Sequence, residues 1–244
     1  MKKGFSLKSI GKVEKNVDAC IQLHKLIDSG DEQGAINLIN SERGIDVSYE
    51  YNQRIPVFSA INSNMYDLFE VIVNHPTFDS AVEDGFGETL LGSLLYMYVA
   101  EETQSNAEEE RILRRLIDSI LKNDNYFFNA TDINDDTAIN IACEYPKAIW
   151  IVEALAAKKY VSPNIINYFD CTALTNAIRN QNTEAIKVLA KRSDLLVRDY
   201  DVEAAKEYNI KLEDYGIDTS HCMATIIDDT AERNREDCFA IACE

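Results

Sequence analysis

The residues best suited to metal chemistry form an acidic run just before Thr137. Asp132, Asn134 and Asp136 alternate as the first ligands of an EF-hand calcium loop do. Such a loop also requires Gly at its sixth position and Glu at its twelfth, where this chain has Thr137 and Cys143. We therefore interpret the run as a polar turn that precedes a helix, and we do not expect bound calcium.

The other side chains that could act as ligands or nucleophiles are scattered along the chain. The three His residues, at positions 24, 75 and 221, are far apart, and the six Cys residues contain no Cys-x-x-Cys pair of the kind that zinc sites use. Gly85-Phe86-Gly87 is too short for a phosphate-binding loop, and no Ser, Cys or Lys has a recognisable activating partner. We expect no metal, no cofactor and no enzymatic activity.

Charge and composition limit the classes of ligand. The chain of 244 residues has 24 Lys and Arg against 42 Asp and Glu, a formal net charge of −18. Direct binding of nucleic acid or of an anionic membrane requires clustered basic side chains, so we expect neither. We find no apolar run of transmembrane length and no apolar core of a secretory signal, and the scattered Cys residues are typical of reduced thiols. These features predict a cytoplasmic, intracellular protein, inside a host cell if it is a secreted effector or a viral protein.

The clearest structural unit lies within residues 170–192. Thr172 can cap a helix with its hydroxyl group, and Leu174 and Ile178 then fall on one helical face. A short polar break separates this helix from a second one over 183–192. Two such short helices cannot bury their apolar faces alone, so the pattern predicts that they stack on similar units.

Similar units recur along the chain. Their phase markers fall at positions 21, 55, 89, 137 and 172, so the intervals are 34, 34, 48 and 35 residues. We interpret the long interval as an insertion at about 100–124, which should lengthen both helices of the third unit and their loop. Its acidic stretch at 101–110 is either a solvated bulge or a knob that binds a partner.

Steps of about 33 residues with a Thr-Pro-Leu-His-x-Ala opening resemble the ankyrin repeat. The openings that carry the resemblance are Arg54-Ile55-Pro56-Val57-Phe58-Ser59-Ala60, Glu88-Thr89-Leu90-Leu91-Gly92-Ser93-Leu94, Asp136-Thr137-Ala138-Ile139-Asn140-Ile141-Ala142 and Asp170-Cys171-Thr172-Ala173-Leu174-Thr175-Asn176-Ala177. The chain departs from the pattern in three respects. The Pro of the motif is present only at Pro56, the His only at His24, and the turn Gly only at Gly87.

The resemblance implies an all-α fold: an ankyrin-repeat solenoid of stacked antiparallel helix pairs, at least four of them, with an acidic, divergent C-terminal cap. It divides the chain into an N-terminal lead-in over 1–17, an ankyrin-like array over 18–200 and a helical cap or partial repeats over 201–244.

The resemblance also implies a non-enzymatic module that binds another protein through its finger turns and concave face. The fingers should lie near 49–54, 84–88, 125–136, 167–170 and 198–201. Aromatic side chains are favoured interface anchors, although Phe86 and Phe169 could instead pack locally against their turns. The predicted partner-binding residues are Tyr49, Tyr51, Arg54, Phe86, Asp132, Asn134, Tyr168, Phe169 and Tyr200.

The alternative function is an acidic nucleic-acid mimic that inhibits a DNA- or RNA-binding protein. The net charge motivates this alternative, but an acidic surface also serves plain solubility. A regular stripe of carboxylates would favour mimicry, whereas exposed Tyr and Phe on the fingers would favour ordinary protein binding.

Overall fold

Short helices, joined by turns with left-handed residues, form the secondary structure of this protein. The computed structural model describes residues 15–104, 106–220 and 222. The part of the lead-in over 1–14, and the part of the predicted cap at 221 and 223–244, lie outside the described residues. The chain divides into two compact units, Met1–Asp79 and Ser80–Glu244.

The first unit contains two helix pairs. They are α1 (Val17–Asp28) with α2 (Glu32–Ser41), and α3 (Pro56–Asn62) with α4 (Tyr66–Val73). The Asn16 and Asp31 side chains cap α1 and α2 by accepting hydrogen bonds from backbone N–H groups in the first turn. Pro56 opens α3, where its missing N–H leaves no hydrogen bond unmade. Within each pair the helices pack on each other, and α1 also packs on α3 and α2 on α4.

The second unit continues the same pattern. Its helices are α5 (Leu90–Val99), α6 (Glu101–Gln104), α7 (Ala107–Leu121), α8 (Ala138–Glu144), α9 (Ile149–Ala156), α10 (Ala173–Arg179), α11 (Thr183–Leu189) and α12 (Asp199–Glu207), with 3-10 turns at Pro146–Ala148 and Leu212–Tyr215. The pairs are α5 with α7, α8 with α9, and α10 with α11. The first helix of each pair contacts that of the next, so α5, α8, α10 and α12 form an inner row.

The helix pairs confirm the predicted all-α, ankyrin-like fold. Among the described residues the extended pairing is limited to isolated antiparallel bridges, Tyr51 with Arg54, Glu83 with Thr89, and Thr131 with Thr137. The apolar residues predicted at helical spacing are buried: Leu174 and Leu189, for example, have no exposed surface. No helix in the described part of the chain is both long and apolar enough to cross a membrane.

The insertion lengthens both helices of its pair, as the repeat spacing predicts. The inner helix α5 has 10 residues and the outer helix α7 has 15, against 7 and 8 in α8 and α9. Hydrogen bonds among three side chains connect α7 to α5 and α9. Trp150 Nε1 and Arg114 Nη2 each donate a hydrogen bond of 3.1 Å to the Tyr98 hydroxyl, and the Arg114 guanidinium lies 4.5 Å from the Trp150 ring centroid.

A buried ion pair joins α12 to the inner row. Arg198 donates to the Asp170 carboxylate at 2.8 Å and to the Asp170 carbonyl at 2.6 Å. The Asp201 carboxylate accepts hydrogen bonds from the Arg198 N–H at 2.8 Å and from the Thr175 hydroxyl at 2.5 Å. These bonds compensate charges that would be expensive to bury alone, although Arg198 Nε has no acceptor in the described part of the chain. The helices α10 and α12 pack against each other here.

Replacing Leu174 with Ala should lower the free energy of unfolding by about 2–5 kcal/mol, because the side chain is fully buried between neighbouring helix pairs. Urea unfolding measures the change, and Leu196→Ala, at a 46% exposed position, is the control that should change little. Hydrogen exchange should accelerate first in α8 and α12, which contact α10. Unchanged protection in both helices would contradict this packing.

Candidate functional site

Three finger turns of the second unit share one construction. We call 83–89, 131–137 and 166–172 the first, second and third finger. We call the second residue of each finger, Asp84, Asp132 or Asn167, its opening residue. One side-chain oxygen of this residue accepts hydrogen bonds from the backbone N–H groups two and four residues later. The distances are 2.8 and 3.1 Å for Asp84, 2.8 and 2.8 Å for Asp132, and 3.0 and 2.9 Å for Asn167. The repeated bonds explain why Asp or Asn opens each turn.

A left-handed residue and a capping threonine close each finger. Gly87, Asp135 and Asp170 have φ values of 81°, 60° and 60°. Gly adopts this conformation freely, and Asp tolerates it better than most residues. Two residues later, Thr89, Thr137 and Thr172 accept hydrogen bonds from the N–H groups of Gly92, Asn140 and Thr175 and so begin α5, α8 and α10.

Backbone hydrogen bonds join each finger to the next. The Ile133 N–H donates to the Gly87 carbonyl at 2.9 Å, and the Tyr168 N–H donates to the Asn134 carbonyl at 2.8 Å. The contact at Gly87 is close: a Cβ there would lie 2.9 Å from the Ile133 Cβ. Gly87 is therefore required both by its backbone angle and by its neighbour, and the three fingers form one connected edge.

Exposed apolar side chains follow Asp84, Asp132 and Asn167, and we call the four of them the fingertip patch; exposed Ile166 lies before Asn167, outside the patch. Phe86 is 83% exposed, Ile133 71%, Tyr168 55% and Phe169 42%. The rings of Tyr168 and Phe169 meet edge to face at 5.5 Å. The structure thus brings together Phe86, Tyr168 and Phe169 from the predicted residues. Sequence analysis missed Ile133, although its place after Asp132, equivalent to that of Tyr168 after Asn167, was a usable signal.

The other two residues predicted in these fingers lie in the turn itself. Asp132 is only 5% exposed, and its Oδ1 atom holds the second finger closed. Asn134 is half-buried, and its carbonyl receives the hydrogen bond from Tyr168. The contribution of Asp132 and Asn134 to partner binding stays a prediction. In the structure, the Asp132 side chain stabilises its own turn.

The predicted residues at 49–54 belong to the first unit. The Tyr49 carbonyl lies 2.8 Å from His24 Nε2, and the Lys15 ammonium lies 4.2 Å from the Tyr49 ring centroid. The Tyr51 ring packs 5.6 Å from the His24 ring. Exposed Arg54 forms a two-bond ion pair with Asp28, at 2.6 and 2.8 Å. Both tyrosines are half-buried, so local packing already uses part of their surface.

Tyr200 lies on a helix, in the first turn of α12. Its hydroxyl accepts a hydrogen bond of 2.9 Å from Arg179, whose guanidinium also lies 5.5 Å from the Tyr200 ring centroid. The side chain is half-buried. The position is at the end of the inner row, one step beyond the third finger.

A group of carboxyl side chains lies where the first two fingers meet the inner helices. We call Glu88, Asp132, Asp136 and Glu144 the carboxyl cluster. Asn167 Nδ2 donates to Asp136 at 2.8 Å, and Asn176 Nδ2 donates to Glu144 at 3.0 Å. By contrast, Glu88 Oε2 and Asp132 Oδ2 are buried oxygens with no donor among the residues described.

Burial and mutual repulsion alter the acidity of the carboxyl cluster. Burial raises the pKa of Glu88 to about 7, and the charges of Asp132, Asp84 and Asp136 contribute to the increase. Burial also raises the pKa of Glu144 to about 7 and that of Asp136 to about 6, with further repulsion from neighbouring carboxylates. Because the Asp132 charge opposes ionisation of Glu88, the two carboxyl groups repel each other once both are deprotonated.

The same carboxylates act on a phenol of the inner row. Burial, followed by repulsion from Glu88, Asp132, Glu144 and Asp136, raises the pKa of Tyr96 well above its ordinary value. Tyr96 is half-buried on α5, so a ring and several carboxyls share one region of the inner surface. Across the described ranges, no group of three or more His, Cys, Asp or Glu is arranged to hold a metal ion.

Comparisons with known proteins define the fold. No protein-family model matches the sequence, and no curated protein matches it. Among solved structures, an ankyrin repeat domain from Acinetobacter baumannii AYE is similar, with a TM-score of 0.50 and 16% sequence identity. The match covers 84% of this chain and 98% of that one. The chain therefore has an ankyrin-like fold, as the repeat pattern indicated.

The full chain should lose stability as pH rises from about 4.5 to about 7. The folded-state pKa values of Glu88, Glu144 and Asp136 lie above those of free carboxyls, so the folded chain binds protons that the unfolded chain has already released. Glu88→Gln should weaken this pH dependence and raise the Tm at about pH 8 by about 2–4 °C. Thermal unfolding at several pH values measures both effects.

The matched control is Glu153→Gln, the same chemical change at an exposed position on α9. It should leave the pH dependence as in the wild type. A Glu88→Gln profile that parallels the wild type would contradict a destabilising charge at Glu88.

Proposed function

We propose that this chain is a protein-interaction module that binds a partner protein through the fingertip patch. Proteins that resemble ankyrin arrays use their finger turns and inner helices in this way. The observation that carries the proposal is the patch itself: Phe86, Ile133, Tyr168 and Phe169 are exposed on three turns that are hydrogen-bonded to one another. Large apolar side chains grouped on an exposed edge mark an interaction surface more often than isolated ones do.

The construction of the fingers favours binding. Each tip is fixed by two backbone bonds to Asp84, Asp132 or Asn167 and by a bond to the next finger. Because the tips are already ordered, little conformational entropy is lost when a partner covers them. Aromatic rings such as Phe86 and Tyr168 can supply most of the binding energy from a few positions.

The fingertip patch favours ordinary protein binding over nucleic-acid mimicry. A mimic would present carboxylates to a basic groove, and its affinity would fall steeply as salt screens them. The tips instead present apolar side chains. The partner that we propose therefore has a complementary apolar surface, and the ankyrin-like fold serves as a scaffold without catalytic activity.

Peptides selected from a randomised display library on the full chain should depend on the fingertip patch. Phe86→Ser and Tyr168→Ser should each lower the affinity for such a peptide by about 5- to 150-fold, corresponding to about 1–3 kcal/mol, mainly through faster dissociation. Surface-bound kinetics at low and physiological salt provide the measurement. Affinity should change little between the two salt concentrations, because apolar contact is not screened.

Leu196→Ser is the matched control, since Leu196 is a 46% exposed apolar residue outside the fingers. It should bind every selected peptide as the wild type does. Selected peptides that ignore both fingertip variants, or that lose affinity steeply with salt, would contradict the proposal. Failure to enrich any fingertip-dependent peptide would also count against it.

A further inference from the structure

The charges that act on the carboxyl cluster within the described residues come from other carboxylates. The charges that raise the pKa values of Glu88, Asp136 and Glu144 are those of other carboxylates, including Asp84 and Asp135. Two cations of the inner row have other partners: Arg179 bonds to Cys171 and Tyr200, and Arg198 bonds to Asp170. A buried group of like charges is unfavourable unless something compensates it.

Two oxygens of this cluster identify where a compensating group would bind. Asp132 is 5% exposed, and its Oδ2 atom meets no donor in the described part of the chain. Glu88 Oε2 is likewise without a donor. Gly92 lies close to that oxygen: a Cβ there would be 3.6 Å from Glu88 Oε2 and 3.0 Å from Thr89 Oγ1, so Gly92 lets the Glu88 carboxyl group pack against α5. Glu88 and Glu144 are both half-buried, so each side chain keeps some exposed surface at the margin of the cluster.

The chemistry of the site favours an organic cation over a metal ion. The described carboxyls are not arranged as ligands of one metal. Grouped carboxylates are suited to an ammonium or guanidinium group, which carboxylate oxygens bind through charge-assisted hydrogen bonds. The Asn176 amide already orients Glu144 through a hydrogen bond of 3.0 Å.

We propose that the carboxyl cluster is a binding site for a lysine or arginine side chain of the partner protein, which enters between Glu88, Asp132 and Glu144. The inference rests on the proposed function, because the fingertip patch holds the partner beside the site. It also specifies the partner: a protein segment in which a basic side chain stands next to apolar ones.

Proton release should accompany this binding. Where Glu88 is protonated in the free chain, an incoming cation takes the place of that proton, which leaves to solvent. Binding of one cation therefore releases about nine-tenths of a proton at pH 6 and about a tenth at pH 8. Because the Glu88 pKa is about 7, about a tenth of the chains are deprotonated there at pH 6 and about nine-tenths at pH 8. Affinity should rise about tenfold across this interval.

Several titratable groups of the fingers and inner helices contribute to the pH profile. Asp84, Asp132 and Asp136 act on Glu88 directly. Asp135 acts on Asp136, Asp132 and Asp136 act on Glu144, and the Glu88 charge acts on Tyr96. Tyr96 has a raised pKa and stays neutral in this range. Glu144 shares the pKa of about 7, so its titration has the same direction as that of Glu88.

The test is an NMR titration of the full chain with small cations, which needs no identified partner. Side-chain carboxyl carbons are labelled, and Glu88→Gln and Glu144→Gln assign their signals. Acetyl-arginine methylamide and acetyl-lysine methylamide are the probes, and the neutral acetyl-citrulline methylamide is the matched control ligand. Both cations should shift the Glu88 and Glu144 signals saturably, about tenfold more tightly at pH 8 than at pH 6, and citrulline should not.

Variants complete the test. Glu88→Gln should weaken arginine binding by about tenfold or more and remove most of its pH dependence, whereas Glu153→Gln should match the wild type. An equal response to citrulline, unchanged binding by Glu88→Gln, or the same shifts produced by calcium ions would overturn the proposal. Phe86→Ser should leave this titration unchanged, so the cation site and the fingertip patch are tested separately.

A second experiment tests whether the cation site and the fingertip patch bind the same peptide. In a fingertip-dependent peptide, replacing its basic residue by norleucine should weaken binding to the wild type about tenfold and binding to Glu88→Gln much less. If the fingertip variants abolish binding while norleucine is tolerated equally by both chains, the proposed function stands and the cation site fails. If norleucine still weakens binding while the fingertip variants have no effect, the cation site stands and the proposed function fails.

Discussion

One hydrogen-bonding arrangement determines the second unit: a side-chain oxygen that accepts two backbone N–H groups within its own turn. Asp84, Asp132 and Asn167 supply this oxygen. Each bond contributes only about 1 kcal/mol, but together the pair fixes the turn before the threonine cap and the inner helix begin. The backbone bonds between fingers then carry the register from one repeat to the next. Helix packing and the placement of the tips both depend on this turn.

The same arrangement sorts side chains into two groups. The residues after the opening Asp or Asn project outward as the fingertip patch, whereas the opening residue and the one before the threonine are directed toward the inner helices. In the first two fingers these inward positions are acidic, with Asp132, Asp136 and Glu88 among them. In the third they are the neutral Asn167 and Cys171, and the Asn167 amide donates to Asp136. A further carboxylate there would add repulsion, so the neutral pair limits how much charge the inner surface holds.

Sequence reasoning predicted the features that depend on local periodicity. Helical spacing, capping threonines and the repeat interval gave the helix pairs, and the 48-residue interval located the insertion because extra residues in one repeat shift every later marker. It did not predict Ile133 or the carboxyl cluster. Glu88 and Asp132 meet only because neighbouring fingers are hydrogen-bonded in one register, and a sequence pattern does not reveal which side chains of a turn face inward. The same ambiguity placed buried Asp132 among the residues predicted to bind a partner.

The inner acidic surface is costly to the fold, and that cost is the strongest argument that it has a use. Most of the described inner row obeys ordinary rules: apolar side chains are buried, and buried amides such as Asn140 and Asn176 have acceptors. Glu88 Oε2 and Asp132 Oδ2 are, by contrast, buried oxygens without a donor among the described residues. Sequences that satisfy local rules elsewhere tend to violate them where binding requires it. A Gln at position 88 could donate to Asp132 and would remove the repulsion. Its absence fits a site whose missing donor comes from the partner.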